Sequence, residues 1–315
     1  MPGRDGLYGF SEATQLLYNI RGLVCVSLGL LLLWVGGCGY FWALSEPSEP
    51  EQIPVTSLAE NFRGSQTGRI EGRVVWQGER PIVADFAVET NPIFHPKWPH
   101  ETREKLFRNP LKPQVSELDS GIANAVVFLR EVDPKRSKPW NHPPVSVHFQ
   151  ASQLKIHQGR RTGVVGVVRR GEKVHFVNDE ERYHGLRVRG ANFFTLTLPT
   201  PNRVRTRQMV HNGLVELSSA AEYYWLRSYL FVSEHPYYVV TEPSGKFELE
   251  EIPSGQYELV AWVPNWNKKD HDRNPESMCI SRMRYKGPVE KTIAVEVEVG
   301  GSQDVTFEFT PKEFE

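Results

Sequence analysis

The sequence predicts an all-β protein that follows a single membrane-spanning segment at its N-terminus. Residues 22–44 are almost continuously apolar. Beyond residue 66 the apolar residues mostly recur at every second position, which is the period of a half-buried β-strand. With 39% hydrophobic and 11% aromatic residues among 315, the chain can build ordinary hydrophobic cores. These observations favour two β-sandwich modules with few helices.

The N-terminal apolar segment predicts a membrane anchor. Residues 23–44 contain no charged side chain, and as a helix they would extend about 33 Å, enough to cross the hydrocarbon core. Arg4 and Arg21 precede the segment, and no Lys or Arg follows it until Arg63. The positive-inside rule therefore keeps residues 1–21 in the cytoplasm and exports the rest. We expect a membrane-anchored, extracytoplasmic protein, periplasmic or at the cell surface.

A second interpretation of the same segment is a lipoprotein signal. Val35-Gly36-Gly37-Cys38 resembles the bacterial lipoprotein cleavage box, after which Cys38 would be lipidated and become the mature N-terminus. Against this interpretation, the segment stays apolar for six residues beyond Cys38. Both interpretations attach the protein to a membrane through residues 22–44.

The exported region begins with a linker and continues as a series of strands. Residues 45–66 are rich in Ser, Pro and Glu, which is typical of an extended tether. Residues 91–120 lack a regular period, with one short helix predicted near residues 101–108. Strands are predicted at Ile70–Trp76, Ala125–Leu129, Val145–Phe149, Gly163–Val168, Val174–Asn178, Leu186–Val188, Phe193–Leu198, Leu214–Leu217, Tyr229–Val232, Tyr237–Thr241, Lys246–Leu249, Gln256–Val260, Lys291–Val299 and Asp304–Phe309. The last two make an alternating pair around Gly300-Gly301.

Several of these segments resemble one known sandwich. Gly72-Arg73-Val74 opens the first strand, and Asn124–Leu129 supplies another. Near the C-terminus, Gly245 stands in a predicted turn, and the Gly255-x-Tyr257 pair places a tyrosine where it can fill a core. Together they resemble the prealbumin-like sandwich of carboxypeptidase regulatory-like domains. The resemblance implies that segments far apart in the sequence fold into one module.

The region between these segments resembles a different sandwich. Gly171–Asn178 and the following His184 match the stretch that carries the first copper histidine in the cupredoxin fold of blue-copper proteins. Asn192-Phe193-Phe194, Gly213-Leu214-Val215 and the stretch from Trp225 to Tyr238 also fit. The resemblance is closest to the variety in proteins labelled methylamine utilisation proteins.

Because the prealbumin-like strands bracket the cupredoxin-like block, the second sandwich is predicted to be inserted into the first. The predicted organisation is a cytoplasmic N-terminus at 1–21, an anchor or lipoprotein signal at 22–44, a linker at 45–66, the first part of the prealbumin-like sandwich at 67–135, the cupredoxin-like domain at 144–235 and the second part of the prealbumin-like sandwich at 236–311.

The cupredoxin-like block lacks the residues that a copper centre requires. A blue-copper site needs a thiolate and two imidazoles, usually with a weak thioether. Setting Trp225 against the family's tryptophan places Ala220, Tyr223 and Leu226 at the Cys, second His and Met positions. His184 is the only retained ligand position, and the one thiol beyond the membrane segment is the distant Cys279. We expect no metal and no cofactor; a copper-binding electron-transfer protein is the alternative.

The other histidines are predicted to be ordinary structural positions. His95 and His100 are five residues apart in a loop that contains prolines, with no third ligand at short spacing. His148, His157 and His175 lie on or beside predicted strands.

No local motif for catalysis is present, and the chain is predicted not to be an enzyme. The sequence has no Gly-x-Ser-x-Gly elbow, phosphate loop or metallohydrolase helix motif. An envelope hydrolase remains an alternative, and it would require a pocket that holds a nucleophile within hydrogen-bond reach of a base.

Charge and aromatic clusters suggest candidate binding residues. Residues 154–211 carry twelve Lys and Arg against four acidic residues, a net charge of +8. Such segregation would attract an anionic envelope component or an acidic protein face, unless opposite charges cancel across neighbouring strands. The aromatic run at 223–225 predicts either an exposed stacking platform or a cluster packed under a loop. The binding candidates are Tyr223, Tyr224, Trp225, Arg187, Arg189 and Arg205. We expect a non-enzymatic binding or structural module of the cell envelope that does not bind nucleic acid.

Overall fold

A computed structural model describes residues 59–90, 103–220, 223–276 and 280–315. These residues include three short 3-10 helices, Gly64–Gln66, Pro134–Arg136 and Pro311–Phe314. Their strands are β1 Thr67–Trp76, β2 Phe86–Thr90, β3 Arg103–Phe107, β4 Gln114–Val115, β5 Ile122–Ala123, β6 Val126–Arg130, β7 Val145–Gln150, β8 Gln153–Gln158, β9 Arg161–Gly163, β10 Val165–Arg169, β11 Lys173–Asn178, β12 His184–Gly190, β13 Phe194–Leu198, β14 Arg205–Gln208, β15 Gly213–Ser219, β16 Arg227–Ser233, β17 Tyr238–Val240, β18 Lys246–Pro253, β19 Gly255–Val263, β20 Lys268–Arg273, β21 Ile280–Tyr285, β22 Val289–Val297 and β23 Ser302–Phe309.

The predicted all-β class is confirmed. The predicted anchor at 22–44, the lipidation candidate Cys38, the loop histidines His95 and His100, and Cys279 lie outside the described residues. Within the residues that are described, no helix is long and apolar enough to cross a membrane. The membrane anchor therefore stays a prediction.

Four sheets form most of the structure. Sheet 1 has the strand order β18-β1-β23, and sheet 2 has the order β17-β6-β19-β22. The apolar residues of these two sheets share one core, which includes Ile70, Phe307 and Leu259. Sheet 3 has the order β10-β16-β15-β12-β13, and sheet 4 has the order β14-β11-β7-β8-β9. Sheets 3 and 4 enclose a second core that includes Phe149 and Phe176. We call sheets 1 and 2 the first sandwich, and sheets 3 and 4 the second sandwich.

The two sandwiches are stacked through sheets 2 and 3. Along β16, Tyr229 and Phe231 belong to the core of the first sandwich, whereas the alternate residues Leu230 and Val232 belong to the core of the second. Trp262 of sheet 2 packs edge-on against Tyr229 and Phe231, with ring centroids 5.1 Å apart in both pairs. Because strand side chains alternate between the two faces of a sheet, both faces of sheet 3 are covered at β16.

Burial on both faces explains the continuous apolar runs of the sequence. All seven residues of β16 are buried, as are Val126–Leu129 of β6 and Leu259–Val263 of β19. A strand covered on both sides needs apolar residues at consecutive positions. The outermost sheet 1 alternates instead, so that Val305, Phe307 and Phe309 of β23 are buried and the residues between them are exposed.

The helix predicted near residues 101–108 is wrong where the structure describes it. Arg103–Phe107 is strand β3, which pairs antiparallel with β2 so that Phe86 lies opposite Phe107. Phe107 stacks on Trp225 with a centroid separation of 4.4 Å. Backbone pairing and this aromatic contact override the helical tendency of a short Glu-Lys-Leu stretch, because local propensity is a weak determinant of structure.

The alternating pair around Gly300-Gly301 forms two strands that do not pair with each other. β22 pairs with β19 in sheet 2, and β23 pairs in parallel with β1 in sheet 1. The chain crosses from one sheet to the other near Gly300, whose φ is +69°. Both strands alternate because each buries one face in the same core from opposite sides. Strands β2, β4, β5, β8, β9, β14, β20 and β21 were not predicted. Two of them, β14 and β20, carry no apolar side chain.

Gly72 is required where β1 lies between its two neighbours in sheet 1. A Cβ atom at this position would overlap the carbonyl oxygen of Val305 on β23 and come within 2.9 Å of the Phe247 ring on β18. Replacing Gly72 with Ala is therefore expected to lower the free energy of unfolding by about 1–3 kcal/mol, measured by chemical denaturation.

Gly287 provides the matched control for this substitution. A Cβ atom there meets nothing within 4 Å, and the residue is exposed. Gly287→Ala is expected to change the free energy of unfolding by less than about 0.5 kcal/mol. Equal effects of the two substitutions would show that close packing of β1 does not constrain Gly72.

Candidate functional site

The retained cupredoxin-type position, His184, is a core residue. It begins β12, and its side chain is completely buried. Its Nε2 lies 3.0 Å from Oε2 of Glu180, and its ring stacks on Phe149 with centroids 4.3 Å apart. The imidazole is therefore held by a carboxylate and an aromatic face inside the second sandwich.

The residues at the other three ligand positions do not form a copper site with His184. The Tyr223 ring lies 5.0 Å from the His184 ring, and Leu226 is 1% exposed. The Ala220 N–H donates to the carbonyl of Gly185 at 2.7 Å. Alanine, tyrosine and leucine provide neither a thiolate nor a second imidazole, so this donor set does not fit a blue-copper centre. In the described part of the chain, no group of three or more His, Cys, Asp or Glu residues is placed to hold a metal ion.

The aromatic run at 223–225 does not form an open stacking platform. Tyr223 and Trp225 are only 4% and 2% exposed. Phe107 of the β2–β3 hairpin covers Trp225, and Phe86 of the same hairpin meets Tyr224 edge-on at 6.4 Å. Tyr224 is half-buried, and burial raises the pKa of its hydroxyl. The platform interpretation is corrected for Tyr223 and Trp225, because a neighbouring hairpin occupies the faces that a ligand would need.

The three predicted binding arginines do not share one face. Arg187 and Arg189 are on β12 in sheet 3, whereas Arg205 is on β14 at the edge of sheet 4. Arg189 lies directly opposite Glu216 of β15. The Glu216 carboxylate nevertheless contacts Arg227 and Arg282, and the acidic side chain whose charge acts on Arg189 is Asp272 of β20.

Glu216 is the centre of an ion-pair cluster that the sequence did not reveal. Its Oε1 contacts the Arg227 guanidinium and lies 2.9 Å from Nη2 of Arg282. Arg227 also donates to the Met283 carbonyl at 2.7 Å and lies over the Tyr285 ring. Its side chain is 1% exposed, and burial lowers its pKa to about 10. The cluster attaches the β20–β21 hairpin to the face of sheet 3 that also carries Tyr229 and Phe231.

A cleft of about 250 Å3 lies where the two sandwiches meet. Its lining comes from five separate parts of the chain: residues 108–114, 122–124, 153–155, 162–164 and 263–264. Apolar surface is supplied by Leu111 and by prolines, and hydrogen-bonding groups are supplied by Gln114, Asn124, Gln153 and Thr162. The mixture of a few polar groups with apolar walls is typical of small-molecule sites.

The charge of the cleft is entirely positive. Arg108, Lys112 and Lys155 line it, and no carboxylate occurs among the described residues of its wall. Arg161 adds a fourth cation beside the wall, because a Cβ atom at Gly163 would come within 3.3 Å of Arg161 Nη1. This Nη1 is buried without a hydrogen-bond acceptor among the described residues, and burial lowers the Arg161 pKa to about 10. An anion in the cleft would relieve this uncompensated charge.

Three polar residues next to the cleft form a hydrogen-bonded chain on the outer face of sheet 4. The Ser146 hydroxyl lies 2.9 Å from Nε2 of His148, and Nδ1 of His148 lies 2.9 Å from Oδ2 of Asp179. Ser146 and His148 are alternate residues of β7, so they share one face, while Asp179 follows β11, the parallel neighbour of β7. His148 was predicted to be an ordinary structural position. Only the pairing of β7 with β11 brings the carboxylate to it.

Comparison with known proteins assigns no family. No protein-family profile and no curated protein match the sequence. Among solved structures, one that matches is oxidized amicyanin with a proline-to-glycine substitution. It is 13% identical, the match covers 38% of this chain and 91% of that one, and the TM-score is 0.23. At this TM-score the similarity decides neither the fold of the matched region nor its function.

Proposed function

We propose that the protein is a membrane-anchored, extracytoplasmic binding module that holds an anionic ligand in the cleft between its two sandwiches. The proposal rests on the charge of the cleft. Arg108, Lys112 and Lys155 line it, and no carboxylate occurs among the described residues of its wall. Guanidinium and ammonium groups recognise carboxylate, sulfate and phosphate through short, charge-assisted hydrogen bonds.

The size and lining of the cleft favour a small ligand rich in hydroxyl groups. Its volume of about 250 Å3 is slightly below the range of about 300–1,000 Å3 that is usual for drug-sized ligands. The amide and hydroxyl side chains of Gln114, Asn124, Gln153 and Thr162 can both donate and accept hydrogen bonds. An acidic sugar, free or at the end of a polysaccharide, combines these requirements. Exported acidic polysaccharides would be available to a protein on this side of the membrane.

Calorimetric titration of the full chain in a mild detergent tests the proposal. Galacturonate is expected to bind with one site per chain, and the neutral sugar galactose is expected not to bind. The double substitution Arg108→Gln with Lys112→Gln is expected to weaken galacturonate binding about tenfold or more, because each lost charge-assisted hydrogen bond is worth about 1.5–3 kcal/mol.

The matched control removes the same charge elsewhere. Lys135 and Lys312 are exposed and do not line the cleft. Lys135→Gln with Lys312→Gln is expected to leave the affinity within about twofold, because surface charges far from a site are screened by salt. Inorganic phosphate provides a separate arm of the titration. Binding of phosphate without binding of galacturonate would contradict an acidic sugar as the ligand. Equal losses of galacturonate affinity in the two double variants would contradict the cleft as the binding site.

A further inference from the structure

A serine on the outer face of sheet 4 has the surroundings of an activated nucleophile. Along β7, Val145, Val147 and Phe149 point into the second core, which leaves Ser146 and His148 on the outer face. Residues i and i+2 of a strand are about 7 Å apart, and at this separation the His148 ring reaches back to the Ser146 hydroxyl. The 2.9 Å contact between Oγ and Nε2 is within the range of a proton-transfer hydrogen bond.

Asp179 fixes which nitrogen of His148 carries the hydrogen. A carboxylate only accepts hydrogen bonds, so Nδ1 of His148 donates to Oδ2 of Asp179. Nε2 is then the basic nitrogen, and it faces Ser146. This is the order nucleophile, base and carboxylate that activates serine in unrelated folds, where geometry and not sequence position defines it. The His148 and Asp179 side chains are 21% and 26% exposed, so solvent and small molecules reach them.

A second imidazole supplies a hydrogen-bond donor beside the serine. His157 of β8 lies directly opposite Ser146, and its ring lies 4.5 Å from the His148 ring. Its Nδ1 is 3.2 Å from the Thr162 hydroxyl; in the tautomer in which this hydroxyl donates to Nδ1, Nε2 carries the hydrogen. This Nε2 is buried and has no acceptor among the described residues. Burial, followed by repulsion from His148, lowers the His157 pKa and favours the neutral ring. A buried N–H of this kind can bind a developing oxyanion.

The polar chain borders the cationic cleft. Lys155, which lies directly opposite His148 on β8, lines the cleft. Thr162, which is bonded to His157, lines it as well. A ligand whose acidic group is held by Arg108 and Lys112 would therefore extend toward the same outer face.

We propose that Ser146 is the nucleophile for transfer of acyl groups from esters carried by anionic molecules that bind in the cleft, an inference that rests on the proposed binding function. Ser146 Oγ forms a bond to the ester carbonyl carbon as its proton passes to Nε2 of His148. The alkoxide then leaves and takes that proton as an alcohol. Water, deprotonated by His148, attacks the acyl-serine and releases the carboxylic acid, which restores Ser146. His157 Nε2–H donates to the carbonyl oxygen, and Asp179 is the positioning residue for His148.

The nucleophile is tested directly with a fluorophosphonate on the full chain in a mild detergent. Oγ forms a bond to phosphorus, the P–F bond breaks, and the proton leaves with fluoride. Peptide mass spectrometry is expected to find the adduct on Ser146 and no adduct in Ser146→Ala.

His148→Gln is expected to slow labelling about 100-fold or more. His157→Phe and Asp179→Asn are each expected to slow it about tenfold or more, and Asp179→Glu is expected to recover part of the rate. Thermal melts of each variant establish that it is folded.

The control serine is Ser302, which accepts a hydrogen bond from Arg69 and has no imidazole partner. Ser302→Ala is expected to label like the native chain. An adduct that is absent from Ser146, or that forms equally fast in His148→Gln, would overturn the inference. An Asp179→Asn variant with the native rate would overturn the positioning role of Asp179.

The link with the cleft is tested with two esters of the same leaving group. Hydrolysis of the monoester of succinate with 4-nitrophenol is expected to have a kcat/KM about tenfold or more above that of 4-nitrophenyl acetate. Arg108→Gln with Lys112→Gln is expected to lower the kcat/KM of the succinate monoester about tenfold or more and so to abolish this preference. Equal turnover of the two esters would overturn the anionic substrate class. Galacturonate titration of Ser146→Ala separates the two proposals. If galacturonate binds to this variant and the fluorophosphonate forms no adduct with the native chain, the binding function is supported and the role of Ser146 as nucleophile is overturned.

Discussion

Replacing Trp262 with Ala is expected to lower the free energy of unfolding by about 3–5 kcal/mol, the cost that is usual for truncating a fully buried tryptophan. Trp262 is completely buried, and its ring meets Tyr229 and Phe231 across the interface between sheets 2 and 3. The substitution removes apolar surface that both sandwiches bury. It also leaves a cavity between two rigid sheets, which relax only partly to fill it.

Chemical denaturation of the full chain measures this effect. Leu118→Ala is the control, because Leu118 is 99% exposed and its truncation should change the free energy by less than about 0.5 kcal/mol. A loss below about 1 kcal/mol for Trp262→Ala would show that the two sandwiches do not depend on each other for stability at this contact. Trp262→Phe is expected to fall between these values, because it keeps one ring against Phe231.

Strands could be predicted from the sequence where their own pattern of apolar residues indicates which side chains are buried. β7 alternates buried and half-buried residues, and β23 alternates buried with exposed ones, so each reveals which face is inside. Val126–Leu129 is apolar at every position because sheet 2 is covered on both faces. In these strands the spacing of the apolar residues follows directly from which side chains are buried.

The parts that could not be predicted depend on contacts between distant segments. β20, Lys268–Arg273, has no apolar residue, and its pairing with β21 is supported by ion pairs of Arg284 with Asp270 and Asp272. The pattern of β3 also fitted a helix, and only its partner β2 makes it a strand. Period alone does not distinguish a pair of neighbouring strands from two strands on opposite sides of a core, and for that reason the alternation of β22 and β23 did not identify their partners β19 and β1.

The candidate sites have the same limitation. Ser146 and His148 are visible in the sequence as alternate residues of a strand, but Asp179 is 31 positions away from His148. The cleft combines residues from five segments, none of which has a recognisable motif. The net charge of residues 154–211 predicted an anionic partner, and this stays a prediction; Lys155 of that stretch lines the cleft. Charge alone did not locate the cleft, because Arg187 and Arg189 of the same stretch lie on β12 in sheet 3 and do not line it.

Removing the Glu216 carboxylate is expected to be as destabilising as removing the Trp262 ring. Glu216→Ala leaves the Arg227 guanidinium, with 1% of its side chain exposed, without its only described carboxylate partner. Breaking a buried ion pair from one side costs about 3–5 kcal/mol, because a desolvated charge remains. Burial already lowers the Arg227 pKa to about 10, which indicates that the charged form is held there at a cost. Arg282, which shares the same oxygen of Glu216, loses its contact as well.

The double variant Glu216→Ala with Arg227→Met distinguishes an unpaired charge from a simple loss of packing. If the cost comes from the charge, replacing Arg227 by an apolar side chain of similar length is expected to recover at least half of the lost free energy of unfolding. The control is Glu290→Ala, which breaks the 2.5 Å ion pair with Arg130 at a site where both side chains are 40% exposed. That loss is expected to stay below about 1 kcal/mol, because water and salt screen an exposed pair. A double variant that is less stable than Glu216→Ala would mean that Arg227 stabilises the hairpin through its bonds to Met283 and Tyr285 rather than through its charge.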